Sequence, residues 1–314
     1  MCMNIKTSHN PTDFQWSFLL PKYWVIWLIV FTFSFLAALP WCIQWRVARL
    51  LANPAWRFLS SRRQTTIRNL EICFPEKSPD EVELAAKEVF FNALIGLFEA
   101  LNAWYAPKWF KSRVYIQGLE HIENAKGQGI LLLSSHTTLL DAGGYMCSLF
   151  FELDVVYRPQ NNPLLEMLIY RGRAKVYKNQ ISKNDMRGLI KDLKQGRAVW
   201  YSPDQDFGLK QGVMAPFFGV QAATVTAHRR IMQISNALAI PLYFYRTGDI
   251  RNPQYHILLE PQLEDFPGKD EITDATRVNK ILERQIRMAP TQYMWFHRRF
   301  KTRPDGYNKI YGSK

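Results

Sequence analysis

Residues 130–141 read ILLLSSHTTLLD, and the fold of the whole chain is decided by how this stretch is read. Its first four residues are large aliphatics with no polar alternation, the mark of a strand covered on both faces. Two serines follow, then His136, and Asp141 stands five positions beyond it. Downstream the same kind of run recurs. DVVYRP, AKVY, AVWYSP, IPLYFYRT and YHILLEP are apolar runs of strand length. Between them lie stretches of helical character: one through Gly143 and Leu149, one from Leu164 to Tyr170, SKNDMRGLIKDLKQG stopping at Gly196, and AHRRIMQISNALA. A last helix is expected over about 273–288. Strand and helix in alternation give an α/β domain with a mostly parallel sheet flanked by helices, its last two strands being candidates for an antiparallel pair. Upstream, Ser78-Pro79-Asp80-Glu81 carries the signals of a helix start: a capping serine, Pro at the first helical position and Glu placed to close a capping box.

The N-terminal region has another character. From Tyr23 to Trp45 no residue is charged, and Trp24, Trp27, Trp41 and Trp45 sit toward the ends. The length suits a crossing of a hydrocarbon core of roughly 30 Å, with aromatic rings at the headgroup level and Pro40 kinking the final turn. A cleaved leader would want a small-x-small site, which does not follow cleanly. An in-plane helix would want a polar face, which the stretch lacks. Arg46, Arg49, Arg57, Arg62, Arg63 and Arg68 precede the first acid after the stretch, Glu71, so the positive-inside bias puts the rest of the chain in the cytoplasm. The expected organisation is a tail over 1–22, a transmembrane anchor over 23–45 and one catalytic domain over 46–314.

Across 314 residues, 47% hydrophobic, there is material for a large core, which excludes general disorder. Forty Lys and Arg against 27 Asp and Glu leave a net charge of +13, pointing to a polyanionic partner: nucleic acid, an anionic membrane surface or a phosphorylated substrate. Cys2, Cys42, Cys73 and Cys147 form no CxxC pair, so neither a disulfide framework nor a thiolate zinc site is expected.

Ligands of parallel sheets bind beyond the carboxyl ends of the strands, which directs attention to the segments after Ser134, Tyr157 and Ser202. Of the six histidines only His136 has Asp five positions on. On one continuous helix that spacing would point the two apart. If the helix begins with Thr138 as its cap, Asp141 falls in the first turn and His136 stays in the loop, free to fold back over it. A carboxylate there would fix the imidazole tautomer and make the other nitrogen a better base. The plainer alternative is a capping acid beside a polar loop residue. No G-x-S-x-G elbow occurs, so direct activation of a substrate hydroxyl suits the pair better than a serine nucleophile.

Arg158, at the end of the second run, is a candidate for holding a phosphate or an oxyanion, and Arg171 and Arg173 follow it. Asp204 and Asp206 invite a metal reading, but no third ligand is near in sequence. Pairing with those arginines to order a substrate loop is the expectation, with no metal. Residues 214–220 read as an apolar loop, a candidate lining for a hydrocarbon pocket, or plain core.

On these residues the sequence resembles a known family. SSHTTLLD is similar to the HxxxxD/E signature of glycerolipid-type acyltransferases. YRPQNNP, the Gly172-Arg173 pair, PDQDFG, APFFGVQAATVTA and the closing QYMWFHRRFKTRP resemble blocks of the lipid A biosynthesis lauroyl/myristoyl acyltransferases of Gram-negative bacteria, in family order and over almost the whole chain. The resemblance implies a lysophospholipid-acyltransferase-like domain and transfer of an acyl chain from acyl carrier protein to a hydroxyacyl group of a Kdo-bearing lipid A precursor. It implies no cofactor beyond that donor, no nucleic acid, and residence in the bacterial inner membrane as a single-pass protein. His136 would be the general base and Asp141 its orienting carboxylate. Arg158, Arg173, Asp204 and Asp206 would serve substrate binding. Many family members carry Glu where this chain has Asp141. The phosphate loop of phosphatidate-making relatives is missing, which argues against a glycerol-phosphate acceptor. A phospholipid acyltransferase remains the alternative enzyme, and a basic membrane-surface or nucleic-acid-binding protein the alternative class. Arg298, Arg299, Lys301 and Arg303 are candidates for docking either anionic partner, or else a solvated basic tail.

Overall fold

The structure is a computed structural model and describes residues 13–106, 108–125, 127–304 and 309–312. Residues 1–12 of the expected tail, Cys2 included, lie outside the described residues. The helices are α1 (Trp24–Ala38), α2 (Trp41–Phe58), α3 (Ser60–Cys73), α4 (Pro79–Tyr105), α5 (Lys108–Lys111), α6 (Leu119–Asn124), α7 (Leu140–Ser148), α8 (Pro163–Arg173), α9 (Met186–Lys194), α10 (Ala227–Ser235) and α11 (Glu271–Met288). The strands are β1 (Val114–Gln117), β2 (Ile130–Leu133), β3 (Leu153–Tyr157), β4 (Gln180–Ser182), β5 (Ala198–Tyr201), β6 (Gly212–Phe217), β7 (Val220–Val225), β8 (Leu238–Thr247) and β9 (Gln254–Leu259).

Seven strands form one sheet in the order β1-β9-β8-β2-β5-β3-β4. Every neighbouring pair is parallel except β8 with β9, the two strands closest in sequence. β2 lies in the middle, all four of its residues buried. Leu131 and Leu133 enter one apolar cluster with Leu189, Val199, Ile231, Val278 and Trp295, while Ile130 and Leu132 enter another with Met146, Trp200, Ile240 and Phe244. An uninterrupted aliphatic run is what a strand with helices on both sides requires. The capping box of α4 forms as expected, with Glu81 N–H donating to Ser78 Oγ and Ser78 N–H to Glu81.

Three expectations are corrected. AKVY is the turn that follows α8, and the edge strand forms three residues later as β4, so that Tyr177 is free to pack against Gly144. The apolar segment 214–220 is a hairpin: β6 and β7 pair antiparallel across Phe218 (φ 49°) and Gly219 (φ 76°), a turn that needs both residues in the left-handed region. Third, the apolar N-terminal stretch is not a single helix over 23–45. It stops at Ala38, Pro40 adopts an extended ψ of 145°, and α2 begins at Trp41. The break is capped from inside: Gln44 Nε2 donates to the carbonyls of Ala37 (2.8 Å) and Leu39 (2.7 Å), and Asn102 of α4 donates to Gln44 Oε1 at 2.8 Å.

Among the described residues, 21–38 is the one segment with the length and apolar composition of a candidate membrane span. Trp24, Val25, Leu28, Phe31 and Phe35 are exposed along α1. Its other side is docked. Phe33 meets Phe98 of α4 at 5.7 Å between ring centroids, and Tyr23, Ile26 and Trp27 pack with Leu164 and Met167 of α8.

α4 also comes very close to the loop after β2. A Cβ at Gly96 would lie 2.0 Å from the Thr138 carbonyl oxygen. That loop cannot yield, because Thr138 N–H is tied to the Gln292 carbonyl at 2.8 Å. Overpacking of about 1–3 kcal/mol should outweigh the ~1 kcal/mol that alanine gains in helix propensity. Gly96→Ala is therefore expected to lower the melting temperature by several degrees, while Gly312→Ala, where nothing lies within 4 Å, leaves it unchanged. Equal melting temperatures for the two variants would contradict the close approach.

Candidate active site

β2 and β5 are neighbours, and the loops that leave their carboxyl ends run side by side, with Ser134 N–H still donating to the Tyr201 carbonyl at 3.1 Å. This adjacency places His136 against Asp204. The two ring and chain contacts are short: His136 Nδ1 to Asp204 Oδ1 at 2.5 Å, and His136 backbone N–H to Asp204 Oδ2 at 2.8 Å. The Asp204 side chain is fully buried, whereas that of His136 keeps 23% of its surface open. The carboxylate fixes the ring with the Nδ1 proton turned inward and Nε2 outward as an acceptor.

The electrostatics of the pair follow from that geometry. Burial alone favours a neutral ring, but the charge of Asp204 and its hydrogen bond outweigh burial and hold the His136 pKa above its usual 6.5. For Asp204 burial works toward protonation, and His136, through its charge and two hydrogen bonds, overrides it and keeps the carboxyl well below the usual range. The result is a partly open imidazole made more basic by an ionised partner, the arrangement general-base chemistry needs.

Asp141, the partner expected from its spacing, does not take that place. It lies on the first turn of α7 and receives a forked pair from Arg173 at the end of α8: Nε to Oδ1 at 2.6 Å and the terminal nitrogen to Oδ2 at 3.3 Å. A bidentate Arg–carboxylate pair is a strong, oriented contact. Its role is to hold Arg173 against α7. The helix begins with Leu139 as its cap residue, one position later than the fold-back reading assumed.

Arg158 lies just beyond β3, exposed, and its guanidinium has no protein partner among the described residues. β3 neighbours β5, so Arg158 stands on the same sheet edge as the His136–Asp204 pair. Neither Asp204 nor Asp206 pairs with the arginines as expected. Asp206 closes its own turn on Gly208 N–H at 2.9 Å and accepts from Thr302 N–H at 2.6 Å and Thr302 Oγ at 2.8 Å. It clasps the C-terminal segment. Ser134 and Ser135 are buried, and the Ser134 hydroxyl donates toward the Ser135 carbonyl at 3.4 Å, so among the described residues no serine is presented to His136.

The C-terminal block supplies what sequence reasoning missed. Met294 N–H donates to the His136 carbonyl at 3.0 Å, and Tyr293 bridges Thr137. The buried Tyr293 phenol lies against Asp204, and burial together with that negative charge raises its pKa. His297 stands edge-on to His136, ring centroids 5.8 Å apart, and its Nε2 meets Gln205 Nε2 at 3.2 Å. Arg299 is not part of a basic tail: it is 1% exposed and donates to the Ala223 carbonyl at 2.6 Å and to Thr224 Oγ at 2.9 Å. Its neighbours Lys301 and Arg303 are turned onto Asp206 and Gln221 carbonyls. The signal was present as a dense block of aromatic and basic residues, but its charge suggested a surface.

Residues 11–302 match the family model for the bacterial lipid A biosynthesis acyltransferases. The chain is similar to the lipid A biosynthesis lauroyltransferase of Escherichia coli, 37% identical over 306 residues, 96% of this chain and 99% of that one. It is similar also to the palmitoleoyltransferase of the same organism (35%, covering 95% and 98%) and to its myristoyltransferase (29%, covering 96% and 94%). A solved structure, the 1-acyl-sn-glycerophosphate acyltransferase of Thermotoga maritima, overlaps 79% of this chain and 99% of its own at a TM-score of 0.37 and 11% identity.

The pairing has a direct spectroscopic consequence. In histidine NMR titrations Asp204→Asn is expected to lower the His136 pKa, by removing the charge that raises it, while Asp141→Asn leaves it in place. The opposite pattern would show that Asp141 is the partner.

Proposed function

The chain belongs to the bacterial lipid A biosynthesis acyltransferases, and from that premise we propose that it transfers a lauroyl- or myristoyl-type chain from acyl carrier protein to a hydroxyacyl group of a Kdo-bearing lipid A precursor. The observation that carries the mechanism is the His136–Asp204 pair at the carboxyl edge of the parallel sheet. His136 Nε2 takes the proton of the acceptor hydroxyl as that oxygen attacks the acyl carbonyl. The tetrahedral oxyanion collapses, the C–S bond of the thioester breaks, and the leaving thiolate recovers a proton from the imidazolium. Asp204 holds the ring and stays ionised throughout, stabilising the imidazolium that forms. The step uses donor and acceptor alone, with no metal or cofactor invoked.

The acceptor and the donor are both anionic, which matches the +13 balance of the chain. Arg158, exposed and without a protein partner among the described residues, is the side chain we assign to meet an acceptor phosphate or carboxylate. Arg173 is held by Asp141 with its side chain 12% exposed, so its contribution is a fixed, charge-compensated wall and not a mobile cationic arm. We assign the protein to the inner membrane, anchored as a single-pass protein through the apolar segment 21–38, of which α1 is the main part, with the catalytic domain on the cytoplasmic side. The apolar exposed face of α1 and the arginines that follow it support this orientation.

Two outcomes test the reading. Lipid A from cells lacking the gene should be missing one secondary acyl chain by mass spectrometry, restored by the wild-type gene and not by His136→Ala; an unchanged profile would refute the acceptor. In vitro, turnover should rise with pH as His136 loses its proton, with a midpoint above histidine's usual 6.5 because its pKa is raised. Asp204→Asn should move that rise to lower pH and cut the plateau by about 10²–10⁴-fold. An unmoved pH profile with full activity would remove Asp204 from the mechanism.

A further inference from the structure

Two imidazoles, not one, stand at this site, and the loop after β5 orients both. Asp204 holds His136, and the next residue, Gln205, holds His297. The Gln205 amide donates to His297 Nε2 at 3.2 Å, which leaves the ring proton on Nδ1. Nδ1 meets no partner among the described residues and is not sealed in the core. The other described histidines are employed elsewhere. His228 is fully buried and stacked on Phe266, His256 shares a hydrogen bond with Thr247, and His121 lies on the short helix α6. His297 alone among them faces the His136 ring, edge-on at 5.8 Å.

Resting on the acyl-transfer reading above, we propose that His297 is a second catalytic residue, whose Nδ1–H donates a hydrogen bond to the carbonyl oxygen of the acyl donor as it becomes an oxyanion. No bond forms to His297 and its proton stays on the ring. The hydroxyl proton goes to His136, the new C–O bond forms, and the negative charge gathers on the oxygen beside the second imidazole. The separation of the two rings suits this division, since the attacking hydroxyl oxygen and the carbonyl oxygen are both bonded to the same carbon in the tetrahedral intermediate and each must reach a different imidazole. The electrostatics support it: Asp204 makes His136 the more basic ring, while burial and the neighbouring His136 push the His297 pKa down to about 4. At neutral pH His297 is therefore a neutral donor and does not compete with the substrate hydroxyl for the base. Titratable neighbours driven apart in this way mark distinct roles.

The alternative role is mechanical, with His297 acting only as the strap that ties the C-terminal segment to Gln205. Three substitutions separate the two. His297→Asn keeps a donor near the Nδ1 position and gives up the Gln205 contact. His297→Gln reaches Gln205 and places no donor at Nδ1. His297→Ala removes both. Steady-state kcat and KM are measured on the purified full chain, with melting temperatures as the folding control. The proposal expects kcat of the Asn variant within about 10-fold of wild type, and the Gln and Ala variants down by about 10²–10³-fold with KM changed little. Gln restoring kcat where Asn does not, equal losses in Asn and Gln, or all three within about threefold of wild type would each overturn it. Wild-type enzyme that acylates another hydroxyl lipid but not the lipid A precursor refutes the acceptor assignment alone, and the three ratios are then read on that lipid.

Discussion

The buried negative charge of Asp204 is the constraint around which the site is built. A carboxylate with no exposed surface is tolerated only when its oxygens are paired, and the charge itself must be compensated. His136 supplies two of the bonds, from the ring and from its own backbone N–H. That double contact requires the loop after β2 to run along the loop after β5, and so it requires those strands to be adjacent. Tyr293 covers a further side of the carboxylate. The buried cation Arg299 is in the same region, and its guanidinium donates to a carbonyl, a hydroxyl and the Asn279 side chain, with no carboxylate in direct contact among the described residues. Burial lowers its pKa, and the negative groups around it, Asp204 and Asp206 among them, work against that loss.

The C-terminal segment is what keeps this arrangement closed. Gln292 accepts from Thr138 N–H through its carbonyl and exchanges two hydrogen bonds of 2.8 Å with the backbone of Arg246. Arg246 in turn lies in a buried network with Asn92 and Glu99 of α4, and Tyr255 donates to the same Glu99 at 2.7 Å. The close approach of Gly96 to Thr138 comes from the same helix, one turn from Glu99. α4, β8, β9 and the C-terminal segment thus hold the His136 loop from three directions. A loop so held loses little freedom when substrate arrives, which is the condition for a base to be preorganised.

Much of the fold was legible because burial writes itself into local patterns. The aliphatic run of β2, the capping box of α4 and the glycine stop after α9 each depend on a few neighbouring residues. His136 was legible for the same reason, being a polar residue at the end of a buried strand. Its partner was not. Asp141 is five residues away and Asp204 sixty-eight, and only the strand order decides which one arrives. The hairpin of β6 and β7 was missed because Pro216 and a run of phenylalanines do not look like an alternating pair of strands. Arg299 was misread because a basic cluster ordinarily means a solvated face, and here one of its members is satisfied by backbone oxygen in the core.

The end that carries the apolar helix α1 and the end that carries the His136–Asp204 pair are parts of one packed body. α1 could have been a tether joined to the rest by a flexible linker, but its inner face is seated on α8 and α4, and Gln44 ties its broken C-terminus to Asn102. α8 passes from that seat, at Leu164 and Met167, to Arg173, which grips Asp141 on the first turn of α7. α7 in turn begins directly after the His136 loop. The chain of contacts from the exposed apolar face of α1 to the His136 loop therefore runs through helices and a bidentate ion pair, with no unpacked link. Pro40 matters to this geometry. By stopping α1 after 15 residues, about 22 Å at 1.5 Å per residue, it ends the apolar helix where α2 must turn to pack its Ala48 and Ala52 against α4. A continuous helix over 23–45 would carry that alanine face away from Phe91 and Ile95, and the seat of α1 on α8 would lose its counterpart.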